Sequence, residues 1–186
     1  MTERRKKAVK QIIFGVILLV VAGAAYWYGD RTPKVTSFQE CVAAGNLVME
    51  SYPRQCKTPD GQMFREDIGN ELEKDDLIRI ESPRPNALVA SPLTVKGMAR
   101  GFWFFEGDFP VVVVDWDGKI IGQGYATSGV AEWMTEEFVP FSGTIEFDAA
   151  QIQGGHSNRG TLILRKNNPS DLRERDDALD IPVRFR

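Results

Sequence analysis

The residues best suited to chemistry in this sequence are acidic side chains close to its aromatic residues. Two carboxyl groups at a fixed separation can hydrolyse a glycosidic bond. Glu106 lies inside an aromatic run, and three more carboxylates flank Trp133, namely Glu132, Glu136 and Glu137. No spacing fixes a catalytic pair among them, so a solvated loop rim is the simpler interpretation. A further interpretation has Glu106 buried and paired with an arginine such as Arg100, in which case its role is structural.

The sequence contains few residues in patterns that could bind a metal ion. Residues 115–118, Asp-Trp-Asp-Gly, begin like a calcium loop but lack the later acceptors and the bidentate glutamate. The same four residues are typical of a hairpin turn, which needs no ion. The single histidine, His156, lies in a loop rich in glycine and serine. The sequence therefore predicts no metal site and no cofactor.

The densest aromatic patch comprises residues 102–105 and Phe109. One interpretation is a binding platform for a glycan or a peptide, with Trp103 and Phe105 stacking on the ligand. The other is a sandwich core with a packed corner at a strand end. In a strand, residues of one parity would be exposed and those of the other buried. The candidate binding residues are Trp103, Phe105, Glu106, Trp133 and Met134.

Charge is distributed unevenly along the chain. The net charge is -3, but residues 1–28 hold five basic residues against Glu3, a net of +4, so the remainder carries -7. A basic end followed by an apolar run and an acidic body argues against nucleic-acid binding by that body.

Residues 1–29 are predicted to be a basic cytoplasmic tail and a transmembrane anchor. From Ile12 to Tyr28 there is no charged residue, which as a helix would extend about 26 Å. Residues 26–28, Tyr-Trp-Tyr, are typical of an interfacial aromatic belt, and the basic cluster predicts an N-terminus inside the cytoplasm. A cleaved signal peptide is the alternative, because residues 22–25 are small. A buried core helix fits poorly, because the run has no polar face. Either main interpretation places residues 30–186 outside the cytoplasm.

Residues 30–66 form a predicted two-cysteine module. A short helix around Cys41 would end at Gly45, and Cys56 would begin a strand, turn and strand with its turn at residues 59–61. In an oxidising compartment Cys41 and Cys56 should form a disulfide. A redox-active pair is the alternative, although such pairs usually have a Cys-x-x-Cys spacing. The run from Cys41 to Cys56 also resembles a short cysteine-bearing module of bacterial envelope proteins.

Residues 77–186 have the rhythm of an immunoglobulin-like β-sandwich, after a polar linker at 67–76. About seven segments alternate apolar and polar residues with period 2, and turn residues separate them. The run of four valines at 111–114 predicts a strand buried on both faces.

Several segments of this region resemble a known family. They are residues 80–83 (Ile-Glu-Ser-Pro), 91–101, 105–107 (Phe-Glu-Gly), 117–118 and 181–183. In order and spacing they are similar to the immunoglobulin-like domain of bacterial spore germination, the Gmad-two family. The resemblance implies an immunoglobulin-like fold, no enzymatic activity and a binding or scaffolding role.

The leading hypothesis is a non-enzymatic envelope protein, held by an N-terminal membrane helix, that binds another envelope protein or a cell-wall component. The alternative is a carbohydrate-binding or hydrolytic module acting on the cell wall. It predicts exposed aromatic residues beside Glu106 or Glu136, and burial of Trp103 and Trp133 would count against it. A third hypothesis is assembly of identical copies through exposed strand edges.

Overall fold

The computed structural model describes residues 12–24, 34–148 and 157–186. Residues 12–24 form helix α1, and its apolar side chains are exposed. Within the described ranges, no helix combines the length and apolarity needed to cross a membrane. The predicted basic tail, the aromatic residues at 26–28 and His156 lie outside the described residues.

The two-cysteine module consists of one short helix and a small antiparallel sheet. Helix α2 (Phe38–Ala43) begins at Ser37, whose hydroxyl accepts a hydrogen bond from the Glu40 backbone N–H, and Gly45 follows its end with a φ of 75°. The sheet contains strands β1 (Leu47–Met49), β2 (Gln55–Lys57) and β3 (Met63–Arg65) in that order. Cys41 of α2 and Cys56 of β2 form a disulfide, as predicted, and both are fully buried.

Helix α3 (Glu71–Lys74) precedes a second, eight-stranded sheet. Its strands are β4 (Ile78–Ser82), β5 (Leu88–Val89), β6 (Leu93–Arg100), β7 (Asp108–Asp115), β8 (Ile120–Ser128), β9 (Phe138–Ile145), β10 (Arg159–Arg165) and β11 (Ala178–Phe185). Their order is β4-β6-β9-β8-β7-β10-β11-β5, and β5 is parallel to β11 whereas the other pairs are antiparallel. The sequence predicted about seven strands, and β5 is too short to leave a period-2 signal.

The sheet curls so that its two halves face each other across one core. Phe109 of β7 and Phe141 of β9 are not on neighbouring strands, yet their ring centroids are 5.0 Å apart. Phe147, just after β9, and Phe185 of β11 make a second contact across the core, at 5.3 Å. Along β4, β6, β10 and β11 the buried residues alternate with more exposed ones, as the period-2 pattern predicts. All four valines at 111–114 are also buried, which confirms that prediction. The described part of the chain is therefore mainly β, with an immunoglobulin-like sandwich.

The segment before the sandwich packs along the edge of β11. The Asn70 backbone N–H donates to the Asp180 carbonyl, and its side-chain amide donates to the Ala178 carbonyl and accepts from the Asp180 N–H. Gly69 lies so close that a Cβ on it would be 1.8 Å from the Asp180 oxygen. The Asn70 side chain therefore satisfies backbone groups of Ala178 and Asp180 that no other strand of the described ranges pairs with.

Buried carboxylates join the module to the sandwich. Glu71 of α3 is 7% exposed, accepts a hydrogen bond from the Tyr52 hydroxyl and forms an ion pair with Arg84 at 2.6 Å. Burial, followed by the hydrogen bond to Glu71, raises the pKa of Tyr52. Arg84 in turn donates to the Tyr52 hydroxyl at 2.7 Å, which closes a three-residue network.

A second buried carboxylate, Glu66, lies beside this network. Its side chain accepts two hydrogen bonds from the Arg54 guanidinium, at 2.8 and 2.5 Å. These bonds hold the pKa of Glu66 below its ordinary value. Asn86, in the connection between β4 and β5, donates to the Asp67 carbonyl at 2.7 Å. The module therefore lies against the β4–β5 connection, at one end of the sandwich.

Candidate functional site

Three loops meet at the opposite end of the sandwich, which we call the loop end. They are residues 101–107 between β6 and β7, 129–137 between β8 and β9, and 166–177 between β10 and β11. The strand registers place them together, because Arg100 pairs with Phe138, Asp108 with Thr127 and Arg165 with Ala178. In immunoglobulin-like domains, loops that share one end of the sandwich form a common binding surface.

Hydrogen bonds hold these loops to one another. The Asn167 backbone N–H donates to the Trp103 carbonyl at 3.0 Å, and its side-chain amide donates to the Asp108 carbonyl at 3.3 Å. Arg100 donates to the Glu136 carbonyl at 3.0 Å and stacks on the Phe138 ring at 4.2 Å. The loop end is therefore a fixed surface, apart from the side chains that project from it.

The aromatic run divides between the core and the surface. Trp103, Phe104 and Phe109 are buried, whereas Phe102 is 49% and Phe105 42% exposed. This corrects the assignment of Trp103 as a ligand-stacking residue, because it is 0% exposed. Residues 101–103 form a 3-10 turn rather than a strand. The alternation of exposed and buried side chains expected for a strand therefore does not apply to them. The Trp103 Nε1 has no hydrogen-bond partner in the described part of the chain.

Glu106 lies at the tip of a tight hairpin rather than in the core. Phe105 and Asp108 exchange backbone hydrogen bonds of 3.0 and 3.2 Å, and the two residues between them have positive φ, 54° at Glu106 and 82° at Gly107. Its side chain is exposed. The interpretation of a buried Glu106 paired with Arg100 is therefore wrong.

The β8–β9 loop contributes two of the predicted site residues. Trp133 is half-buried, packs against the core and lies 6.5 Å from Phe104 between ring centroids. Met134 projects outward and is 83% exposed. Val130 in this loop and Leu172 in the β10–β11 loop, both 43% exposed, add to the apolar surface. Neither residue could be predicted from the sequence, because a single apolar residue in a loop carries no signal of exposure.

The carboxylates considered for hydrolysis are all on the surface. Glu106, Glu132, Glu136 and Glu137 are exposed. A glycosidase acid needs a secluded, apolar setting to stay protonated, and Trp103 is not available for sugar stacking. No group of three or more His, Cys, Asp or Glu side chains suited to a metal occurs among the described residues.

Residues 115–118 form the hairpin turn that the sequence favoured. The Asp115 carboxylate accepts hydrogen bonds from the backbone N–H groups of Asp117 and Lys119, at 3.0 and 2.9 Å. Gly118 has a φ of 81°, which favours glycine. This turn lies at the end of β7 away from the loop end.

A charged groove of about 530 Å³ adjoins the loop end, between α3 and the β10–β11 hairpin. Lys74 forms an ion pair with Asp177 at 2.6 Å across it. Burial raises the pKa of Asp180 in this groove, and the charges of Arg165 and Lys74 oppose that rise. Because both signs of charge line it, the groove selects no single class of ligand.

The fold and the loop end together define an immunoglobulin-like domain with an exposed, partly apolar surface on its loops. A model of the family described as the immunoglobulin-like domain of bacterial spore germination, Gmad2, matches residues 77–171, just over half of the chain. The chain belongs to this family, as its sequence motifs indicated. Comparisons with curated proteins and with solved structures return no match.

Proposed function

We propose that this chain is a non-enzymatic envelope protein, anchored in the bacterial inner membrane, that uses its loop end to bind another protein. The observation that carries the proposal is the exposure of Phe102, Phe105 and Met134 together on loops of a fixed framework. Exposed apolar side chains grouped on one surface are typical of interaction sites. The immunoglobulin-like domain of this family fits a binding or scaffolding role in general.

The proposed location rests on the sequence and on the disulfide. The uncharged run from Ile12 to Tyr28 after a basic cluster supports an anchor with its N-terminus inside. The Cys41–Cys56 disulfide supports an oxidising compartment for the rest of the chain.

The position of the module supports an outward-facing loop end. In the chain, the module directly follows the proposed anchor, and it contacts the β4–β5 connection. Strand β11 (Ala178–Phe185) runs from the loop end toward that connection, whose Asn86 N–H donates to the Pro182 carbonyl, and the four steps from Ala178 to Pro182 at about 3.3 Å each make roughly 13 Å. In this proposal, an anchor beside the module leaves the loop end on the side that faces away from the bilayer.

Site-specific photo-crosslinking in intact cells tests this proposal. A photoreactive amino acid replaces Phe105 or Met134 in the full-length protein, and a matched control carries it at Asp117 in the β7–β8 turn. We expect protein adducts from positions 105 and 134 and none from position 117. The proposal fails if both loop-end positions yield no protein adduct, if position 117 yields the same adducts, or if wall glycan is the only adduct.

A fractionation of the same cells tests the anchor separately. The full-length mass should be found in the membrane fraction, and an external protease should cleave residues beyond 30 after the outer layers are opened. A shortened mature chain in the soluble fraction would instead indicate the cleaved signal peptide.

A further inference from the structure

The loop end concentrates the negative charge of the extracytoplasmic region. Its three loops contain three basic residues, Lys166, Arg173 and Arg175, against eight acidic ones. The acidic residues are Glu106, Glu132, Glu136, Glu137, Asp171, Glu174, Asp176 and Asp177. The net charge of the loops is therefore -5, out of -7 for everything after residue 28.

The module does not share this charge, because residues 30–66 hold five basic and five acidic residues, a net of 0. The linker, residues 67–76, holds five acidic residues and Lys74, a net of -4, and it reaches the loop end through the ion pair of Lys74 with Asp177. Most of the loop-end carboxylates are exposed, Asp177 being the exception through its ion pair with Lys74. The field of the extracytoplasmic region is thus polarised toward the same end that exposes the apolar side chains.

The apolar and acidic groups alternate along the same loops. Met134 lies between Glu132 and Glu136, Phe105 precedes Glu106, and Leu172 lies between Asp171 and Glu174. Protein interfaces commonly have an apolar centre and a charged rim, and the rim sets the partner and the rate of association. A rim of one sign selects a partner of the other.

We infer that the loop end binds a cationic protein segment, in which apolar side chains are flanked by lysine or arginine. This inference rests on the proposed function and adds the chemistry of the partner. The apolar residues of the segment cover Phe102, Phe105 and Met134, and its basic residues approach the surrounding carboxylates. The same rim repels polyanions, including anionic wall polymers and membranes rich in acidic lipid.

Selection from a phage-displayed random peptide library tests the inference. The target is the full-length chain in nanodiscs of phosphatidylcholine, which adds no net lipid charge. Selected peptides should be enriched in lysine and arginine together with apolar residues, relative to the starting library. Raising the salt from about 20 to about 500 mM should weaken their binding by about tenfold or more, because surface charges are then screened.

Two variants with the same change in total charge test whether the loop-end carboxylates are responsible for the peptide affinity. Glu132→Lys, Glu136→Lys and Glu174→Lys together change the loops from -5 to +1, and we expect at least a tenfold loss of affinity. Glu81→Lys, Asp117→Lys and Glu146→Lys make the same change in total charge at exposed positions outside the loops, and should leave affinity within about twofold. Circular dichroism checks that both variants are folded.

A variant at the apolar loop-end residues distinguishes a failure of this inference from a failure of the proposed function. Phe105→Ser with Met134→Ser should abolish peptide binding, whereas Leu47→Ser with Met63→Ser, at exposed positions of the module, should not. Peptides that bind the loop-end variant as well as the native chain would refute the proposed function. Peptides lost in that variant but neutral or acidic in composition, or indifferent to the charge reversal, would refute only the cationic partner. Binding of polyphosphate at the loop end would also overturn it, and a library that yields no loop-end binder counts against both.

Discussion

Gly101 determines whether the β8–β9 loop can lie where the structure places it. A Cβ at residue 101 would be 2.1 Å from the Thr135 carbonyl oxygen and 2.3 Å from the Trp133 carbonyl oxygen. Ordinary contact begins at about 3.4 Å, and backbone atoms cannot rotate away as a flexible side chain can. In Gly101→Ala the loop must therefore move outward by more than 1 Å.

The cost follows from the contacts that such a movement breaks. Overpacking of this kind typically costs about 1–3 kcal/mol. The Gly101 N–H also donates to the Glu137 carbonyl at 3.2 Å, and Arg100 donates to the Glu136 carbonyl at 3.0 Å; each lost bond adds about 1 kcal/mol. The total, about 3–5 kcal/mol, exceeds the free energy that holds an exposed loop in place, so we expect the loop to detach locally while the sandwich stays folded.

Hydrogen exchange measured by mass spectrometry checks this expectation. Amides of residues 129–137 should exchange faster in Gly101→Ala, whereas those of β6 and β10 should be little changed. The control is Gly129→Ala in the same loop, where the new Cβ would be 3.4 Å from its nearest neighbour, Pro140. Equal protection of residues 129–137 in both variants would refute the packing explanation, and so would global unfolding of Gly101→Ala alone.

Three further perturbations have defined outcomes. Because Arg54 lowers the pKa of Glu66 from an ordinary value of 4.5, the ion pair contributes its stability above about pH 4.5 and loses it as the pH falls below that value; urea titrations should show a smaller loss on acidification in Glu66→Gln. Replacing both Cys41 and Cys56 by serine should destabilise the module by about 3 kcal/mol, seen as faster exchange at residues 38–65 with β6 unchanged. Phe109→Ala, which removes a fully buried ring packed on Phe104 and Phe141, should cost about 3–5 kcal/mol in denaturant unfolding.

Each of these expectations has a contradicting result. The Glu66 explanation fails if the native chain and Glu66→Gln lose the same stability between neutral and acid pH. The disulfide explanation fails if exchange in the module is unchanged in the double serine variant. The packing explanation for Phe109 fails if Phe109→Ala is as stable as the native chain. Phe109→Leu, which keeps an apolar side chain, is the control, and a Phe109→Leu variant as stable as the native chain would mean that the aromatic contacts contribute little.

Period-2 alternation made most of the sandwich predictable from the sequence. In β6, for example, one face lies in the core and the other in solvent, so its burial alternates as its residues do. The turn at residues 115–118 could also be predicted, because aspartate and glycine both favour the backbone conformations of turns. A local sequence pattern therefore predicts the structure where the conformation of each residue is determined by its neighbours in the chain.

The loop end was harder to predict from the sequence, because the exposure of its side chains depends on the conformation of the backbone. Phe102 and Trp103 are adjacent aromatic residues, and only the 3-10 turn decides that the first is exposed and the second buried. Residues 67–76 illustrate the same limit. Their polar composition is typical of a linker, yet the partners of Asn70 are 108 and 110 positions away in β11. No local pattern reveals a partner at that distance.

The contact of Asn70 with β11 also bears on how neighbouring molecules behave. A strand edge with free N–H and C=O groups recruits strands from other chains and leads to aggregation. Here a side-chain amide occupies the backbone groups of Ala178 and Asp180 on that edge, so a strand from another copy cannot pair with them without displacing Asn70. A fragment beginning at residue 77, where the family match begins, would lack Asn70 and present the bare edge. We therefore expect such a fragment to aggregate more readily than the full chain, because the residues that cap this edge precede the domain.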